Sequence, residues 1–283
     1  MPEIRPMREA DVPAVHDLNI ATFEDLERRR NLPPQPPPDA EKVAVRYRHL
    51  LRTDPGGAWV AEHEGELVAC ALAILREGVW GLSLLVVRPD VQSAGIGRAI
   101  LAQAAEYANG ARGRIILASP DPRALRAYAR LGLELHPALG ARGKPRLAGT
   151  PGGIVTGGVA DIPFTEAVDR HVRGAAHGAD VGVQLEMGQT LLIAPERGYA
   201  VVGGGEVRLL AALDEDGARD LLRAALATAG DGTATVSWLT SAQQWAIGVC
   251  LDAGLELRGD SGAVFVDGDV GPFHPYLPSG AFL

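Results

Sequence analysis

The stretch that most constrains this chain is residues 82–101, an apolar strand that runs through a glycine turn into an apolar-periodic helix. Leu84, Leu85, Val86 and Val87 form a continuous apolar run that ends at Arg88 and Pro89, because proline offers no N–H to a sheet ladder. Gln92, Ser93, Ala94, Gly95, Ile96 and Gly97 follow, and helical periodicity begins with Arg98, Ala99, Ile100 and Leu101. Strand, glycine turn and helix together make an anion cradle. Glycines at 95 and 97 let main-chain N–H groups approach a phosphate, and the positive end of the helix dipole faces it. A dinucleotide-binding turn needs three spaced glycines and a later acidic residue, and a Walker loop needs Gly-Lys-Ser/Thr; this segment has neither pattern.

A chain of 283 residues has room for two ordinary domains with full cores. Aromatic residues are only 5% of it, so those cores rest on Leu, Val, Ala and Ile. A net charge of −8 without a long basic run argues against nucleic acid as a partner and suits a cationic amine substrate. Cys70 and Cys250 lie in apolar surroundings and read as buried thiols. No apolar run is long enough for a membrane span, the N-terminus lacks signal-peptide character, and a cytoplasmic protein is expected. The seven histidines lack zinc-ligand spacing, so no metal is expected.

Read in order, the chain opens with a strand at residues 4–7. A helix follows, capped by Asp11 with Pro13 in its first turn and Val15, Leu18, Phe23 and Leu26 on its apolar face. Arg28, Arg29 and Arg30 close it, and a proline-dense segment, residues 32–38, reads as loop or polyproline II. Asp39 caps a second helix over residues 40–51. Strands 59–62 and 67–75 flank a polar hairpin turn. The glycine-turn segment and its helix, to about residue 109, precede a buried strand at 114–118, a helix at 122–130 with a glycine stop at Gly132, and a strand from 133.

Val87, Pro89, Gln92, Gly95 and Gly97 fit the pattern Gln/Arg-x-x-Gly-x-Gly/Ala after a Val-x-Pro strand end. Asp121, Ala124, Tyr128, Gly132 and Leu133 fit Asn-x-x-Ala-x-x-x-Tyr-x-x-x-Gly-Phe, with Asp for Asn and Leu for Phe. Motifs and element order together resemble the GNAT superfamily of N-acetyltransferases over residues 4–140. The resemblance implies acetyl-CoA as co-substrate and a primary amine, on a small molecule or on a protein or peptide, as acceptor. It implies that Leu85, Val86 and Val87 pair with the pantetheine and that Gln92, Ser93, Ala94, Gly95, Ile96, Gly97 and Arg98 hold the diphosphate. Asp121 would stand near the pantetheine end, and Tyr128 would act as general acid toward the leaving thiolate. The amine would attack directly, through a tetrahedral intermediate. The base stays open among Glu24, Glu27, Glu62, Glu77, His136 and a water chain. A homodimer is allowed. The alternative is a non-catalytic acyl-CoA-binding module that regulates or recruits a partner.

The second half echoes the first. Residues 125–135 align without a gap on residues 247–257, with identity at Gly132/Gly254, Leu133/Leu255, Glu134/Glu256 and Leu135/Leu257. Upstream, residues 191–194 and 199–202 read as a hairpin, 207–213 as a strand and 218–229 as a helix. Where the first half has its glycine turn, the second has Asp214, Glu215, Asp216 and Gly217, whose carboxylates repel a diphosphate. The expected fold is therefore α/β, two tandem GNAT-like domains, each a mixed, mostly antiparallel sheet flanked by helices. The first domain (1–148) would be active and end in a hairpin, followed by a linker (149–158) and a degenerate second domain (159–283). Asp169, Arg170, His171, Arg173, His177 and Asp180 read as a solvated helix face or as interface ion pairs. Residues 271–283 are too apolar for a loose end and should be docked, on their own domain or across the acceptor cleft with the terminal carboxylate near the amine.

Overall fold

The computed structural model describes residues 2–32, 37–147 and 149–283, so most of the proline-dense segment, residues 33–36, lies outside the described residues. The chain forms two compact units that divide between Ala111 and Arg112.

The first unit contains β1 (Glu3–Pro6), α1 (Val12–Arg30), α2 (Ala40–Thr53), β2 (Ala58–His63), β3 (Glu66–Arg76), β4 (Val79–Val87) and α3 (Ile96–Glu106). Its strands pair antiparallel in the order β1-β2-β3-β4. The turn between β2 and β3 is Glu64-Gly65, both with positive φ (52° and 80°), which matches the right-handed twist of a tight hairpin. β3 is buried without alternation from Val68 to Ile74, as a strand covered on both faces must be. Asp39 caps α2 as its position predicts, accepting from the N–H groups of Glu41 (3.0 Å) and Lys42 (3.2 Å). Asp11 does not cap α1. Its carboxylate takes the Arg8 N–H (2.7 Å) and both terminal nitrogens of Arg5 (2.8 and 2.9 Å), and so ties β1 to the start of the helix.

Asp54 holds this unit together. It is 1% exposed and accepts from Leu75 N–H (2.8 Å), Arg76 Nη1 (2.8 Å), the Tyr107 hydroxyl (3.2 Å) and the Thr53 hydroxyl (2.6 Å), joining α2, β3 and the end of α3. Removing one partner of such a buried pair leaves the other charge uncompensated. Asp54→Ala should therefore lower unfolding stability by about 3–5 kcal/mol, measured as a reduced denaturant midpoint; an unchanged midpoint would mean the guanidinium finds water instead.

The second unit begins with β5 (Gly113–Ala118), α4 (Pro122–Ala129), β6 (Glu134–Pro137), β7 (Leu139–Gly143) and β8 (Val155–Thr156). It continues with α5 (Ile162–Val172), α6 (Ala179–Glu186), β9 (Thr190–Ala194), β10 (Gly198–Gly203), β11 (Glu206–Ala212) and α7 (Glu215–Ala227). It ends with β12 (Ala234–Leu239), α8 (Gln244–Asp252), β13 (Glu256–Arg258), β14 (Ala263–Gly268) and β15 (Tyr276–Leu277). β6 and β7 do not form the expected hairpin. β14 lies between β5 and β6, antiparallel to both. β7 in turn lies between β12 and β13. Each half of the chain thus lends a strand to the other half's sheet. The longer sheet runs β13-β7-β12-β11-β10-β9-β8. Alternate residues of β10 serve opposite faces: Ala200 and Val202 join one core with Leu222, Leu226 and Trp245, and Tyr199 and Val201 join the other with Val168, Val172 and Val181.

Candidate active site

In the first unit, β4 delivers the chain to the turn that the sequence singles out. One edge of β4 is bonded to β3, with Leu85 opposite Ala71, Val86 opposite Cys70 and Val87 opposite Ala69. The Val87 carbonyl accepts from Gln92 Nε2 (2.8 Å) and from the Thr22 hydroxyl of α1 (3.3 Å), which ties the start of the turn and α1 to the strand end. Ser93 (φ 69°) and Gly95 (φ 87°) turn the backbone back, and Gly95 is the N-cap residue of α3. No side chain caps that helix, so its first N–H groups keep their hydrogen-bonding capacity. Ser93, Ala94, Gly95 and Arg98 are exposed, and Ile96 is buried beneath them. A Cβ at Gly97 would sit 3.3 Å from Val87 Cγ2, a tight contact.

Ser83 is a further feature of β4 that no motif announced. Leu82 opposes Ala73 and Leu84 opposes Leu72, which leaves Ser83 as an extra residue, a bulge. Arg46 of α2 donates from Nη2 to the Ser83 carbonyl (2.7 Å) and hydroxyl (2.5 Å). Next to it Tyr47 is fully buried, its hydroxyl without a hydrogen-bond partner among the described residues and pushed up to about 12 by burial. A bulge depends on one unpaired residue in a register, which periodicity cannot reveal.

In the second unit Asp121 caps α4, accepting from Arg123 N–H (2.8 Å), and also binds the Arg123 guanidinium (2.7 Å). Tyr128 is 5% exposed, edge-on to Phe265 of β14 with ring centroids 5.7 Å apart. Burial first, and the Asp121 charge second, push its hydroxyl well above the ordinary tyrosine range. It is a proton holder, and it makes no hydrogen bond within the described residues.

The base candidates scatter. Glu62 is bound by Arg5 (3.0 Å), Glu24 is exposed, Glu77 sits in the β3–β4 turn with φ 47°, and His136 lies 3.6 Å from Glu134 on β6. Cys70 is fully buried and its thiol is pushed up by desolvation, as a core cysteine should be. Among the described residues no group of three or more His, Cys, Asp or Glu could hold a metal ion, and no helix is long and apolar enough to cross a membrane.

The acetyltransferase (GNAT) family model matches residues 17–133, a span that contains both the glycine turn and Tyr128. Over these residues the chain is similar to the GNAT family. No curated protein matches the sequence, but solved structures share the whole fold. A protein of Pyrococcus horikoshii provisionally classed as an acetyltransferase superposes with a TM-score of 0.79 at 16% identity, covering 99% of this chain and 95% of the other. A GCN5-related N-acetyltransferase from Sphaerobacter thermophilus gives 0.60 at 16% identity, with 95% of each chain covered. A tandem GNAT protein from the clavulanic acid biosynthesis pathway gives 0.60 at 17% identity, covering 95% of this chain and 98% of the other. The fold is that of two tandem GNAT-like domains.

The second GNAT-like half differs from the first at the matching strand–helix junction. Asp214 caps α7 through Gly217 N–H (2.6 Å) and pairs with Arg197 (2.9 Å), which holds its carboxyl below the usual carboxylate range. Glu215 and Asp216 occupy the rest of the first turn. β11 and β12 run parallel only at Glu206/Thr235 and Val207/Val236; past these, the edge of β11 is taken by β15, with Leu210 opposite Leu277 and Ala211 opposite Tyr276. The cluster read as a solvated helix face or as interface ion pairs is largely buried, against the first of these: Asp169, Arg173, His177 and Asp180 are each 0% exposed, and of the six only Arg170 and His171 face solvent. Asp169 accepts from Tyr199 and from His177 Nδ1 (2.9 Å), while His177 Nε2 meets a main-chain oxygen of Leu283 (2.7 Å), which also takes the Tyr276 hydroxyl (3.2 Å). These polar groups fasten the tail to the second half.

Proposed function

We propose that this chain is an acetyl-CoA-dependent N-acetyltransferase acting on a primary amine. Residues 1–148 would carry the cofactor chemistry, residues 159–283 would be a half without cofactor, and residues 149–158 would join them. The observation that carries this reading is the contrast between the two strand–helix junctions. At the end of β4 the turn is exposed, glycine-lined and followed by an uncapped helix N-terminus. At the end of β11 the helix N-terminus holds Asp214, Glu215 and Asp216, and β15 lies along the strand edge. A diphosphate fits the first and is repelled by the second.

Acetyl-CoA, when bound, supplies an acetyl group activated as a thioester. Residues Gln92 to Arg98 would hold its diphosphate through main-chain N–H groups, and Leu85, Val86 and Val87 would flank the pantetheine. Tyr128 would serve as general acid: the amine adds to the thioester carbonyl, and as the tetrahedral intermediate collapses and its C–S bond breaks, the hydroxyl gives a proton to the departing sulfur; the amine's surplus proton passes to solvent, from which the Tyr128 phenolate regains its own. Orientation of both reactants provides much of the remaining acceleration.

Tyr128→Phe should lower kcat about 10²–10⁴-fold while leaving the Kd for acetyl-CoA unchanged. Because the hydroxyl titrates above its ordinary value of about 10, the wild-type rate should show no alkaline loss from this group below that pH. An unchanged kcat in Tyr128→Phe would remove the residue from the chemistry. Calorimetric titration with acetyl-CoA should find one site per chain; a second site would overturn the assignment of the halves.

A further inference from the structure

We propose that the second unit carries a ligand site of its own, for a small organic cation with an apolar body. The site is a cavity of about 540 Å³ with β6 and β14 on one side and the end of β12 and the segment before β15 on the other. That volume suits a small molecule.

Two aromatic residues line it in a backbone conformation that folding alone disfavours. Trp238 has φ 62° and Phe273 has φ 55°, and they are the aromatic members of the positive-φ non-glycine residues among those described. Such a position is disfavoured for a non-glycine residue and persists where surroundings or function hold it. The Trp238 strain has a visible origin. Val236 pairs with Ala141 and Leu239 with Leu139, so β12 has one residue more than β7 between these pairs. The resulting bulge places Trp238 in the cavity lining, and the indole N–H has no hydrogen-bond partner within the described residues. The Phe273 ring lies 5.7 Å from Tyr276, which extends the aromatic wall.

The charge of the lining selects the ligand. Among the described residues no Arg or Lys lines the cavity. Of its two carboxylates, Asp267 is neutralised by Arg114 (2.5 Å). Glu134 has only His136, at 3.6 Å, and its side chain is 77% exposed. Thr240 and Gln243 are spent on each other, and Gln243 also donates to the Phe273 carbonyl (3.1 Å). An uncompensated carboxylate beside aromatic faces recognises an ammonium group by charge and by cation–π attraction, and rejects an anion such as a diphosphate. This site is independent of the acetyl-CoA assignment.

The test is titration of the full chain with benzylamine, protonated at neutral pH, and with benzyl alcohol, its neutral near-isostere. Benzylamine should bind saturably and about tenfold or more tighter than the alcohol, and Glu134→Gln and Trp238→Gly should each weaken it by about tenfold. Trp238→Gly relieves the positive φ and so should fold; if it does not, Glu134→Gln, an exposed change, decides alone. Acetyl-CoA affinity is measured on the same samples and should not move in either variant. Absence of saturable benzylamine binding, equal affinity for the alcohol, or binding untouched by Glu134→Gln, as an acceptor amine at the acetyl-transfer centre would show, would overturn the proposal.

Discussion

Expressed separately, residues 1–152 and 153–283 should each fail to give a soluble folded protein, whereas the intact chain cut between Gly152 and Gly153 after folding should stay assembled. The reason is the reciprocal placing of β7 and β14. Without residues 153–283, β5 and β6 lose the strand that lies between them, together with Phe265 (0% exposed) and Ala263 (2%). Without residues 1–152, β12 and β13 lose β7 and with it Ala141 (1% exposed). Each large apolar side chain removed from such a core forfeits about 1.5–3 kcal/mol. The bare strand edges left behind invite aggregation. Gly152 and Gly153 are exposed, so cleavage there need not disturb either sheet. Size-exclusion chromatography of separate, co-expressed and post-cleaved samples checks this. A monomeric, cooperatively melting 153–283 fragment would show that β7 is dispensable.

Gly95→Val should abolish acetyl-CoA binding with little loss of stability. A Cβ at Gly95 would meet nothing within 4 Å, so the free protein has room for the side chain. Its φ of 87° is the obstacle, because a β-branched residue avoids the left-handed region and would turn the main chain out of its cradle. Each charge-assisted N–H bond to a phosphate contributes about 1.5–3 kcal/mol, so losing two of them should weaken binding by roughly 100-fold or more. The residue is exposed, and the melting temperature should fall by only a few degrees. Calorimetry on Gly95→Val, with Gly95→Ala as the milder step, measures both effects. Unaltered affinity would place the diphosphate elsewhere.

Much of the site was legible because it is local. Pro89 ends a strand, Gly95 turns the chain and the Ile100 periodicity starts a helix, all within a few residues, and α3 begins at Ile96, two residues before Arg98, where the periodicity put it. Asp121 and Gly132 likewise mark the two ends of α4. Asp39 announced its helix for the same reason. Asp11 did not behave so, because Arg5, which also binds Glu62 across the sheet, engages its carboxylate instead.

The sequence by itself determined most elements of the first half, the glycine turn and the repeat that sets Gly132 against Gly254. These rest on covalent geometry and short-range periodicity, which act within one turn of helix or one hairpin. Tertiary structure alone decided which strand lies beside which. A strand edge offers the same N–H and C=O pattern to any partner, so nothing local tells β7 to join β12, β14 to join β5, or β15 to lie along β11. That choice is made by the side chains that pack on each face once the sheets assemble. The same assembly buries Asp169 and His177, extrudes Ser83 from its register and holds Trp238 at positive φ, and none of these can be seen before the distant partner arrives.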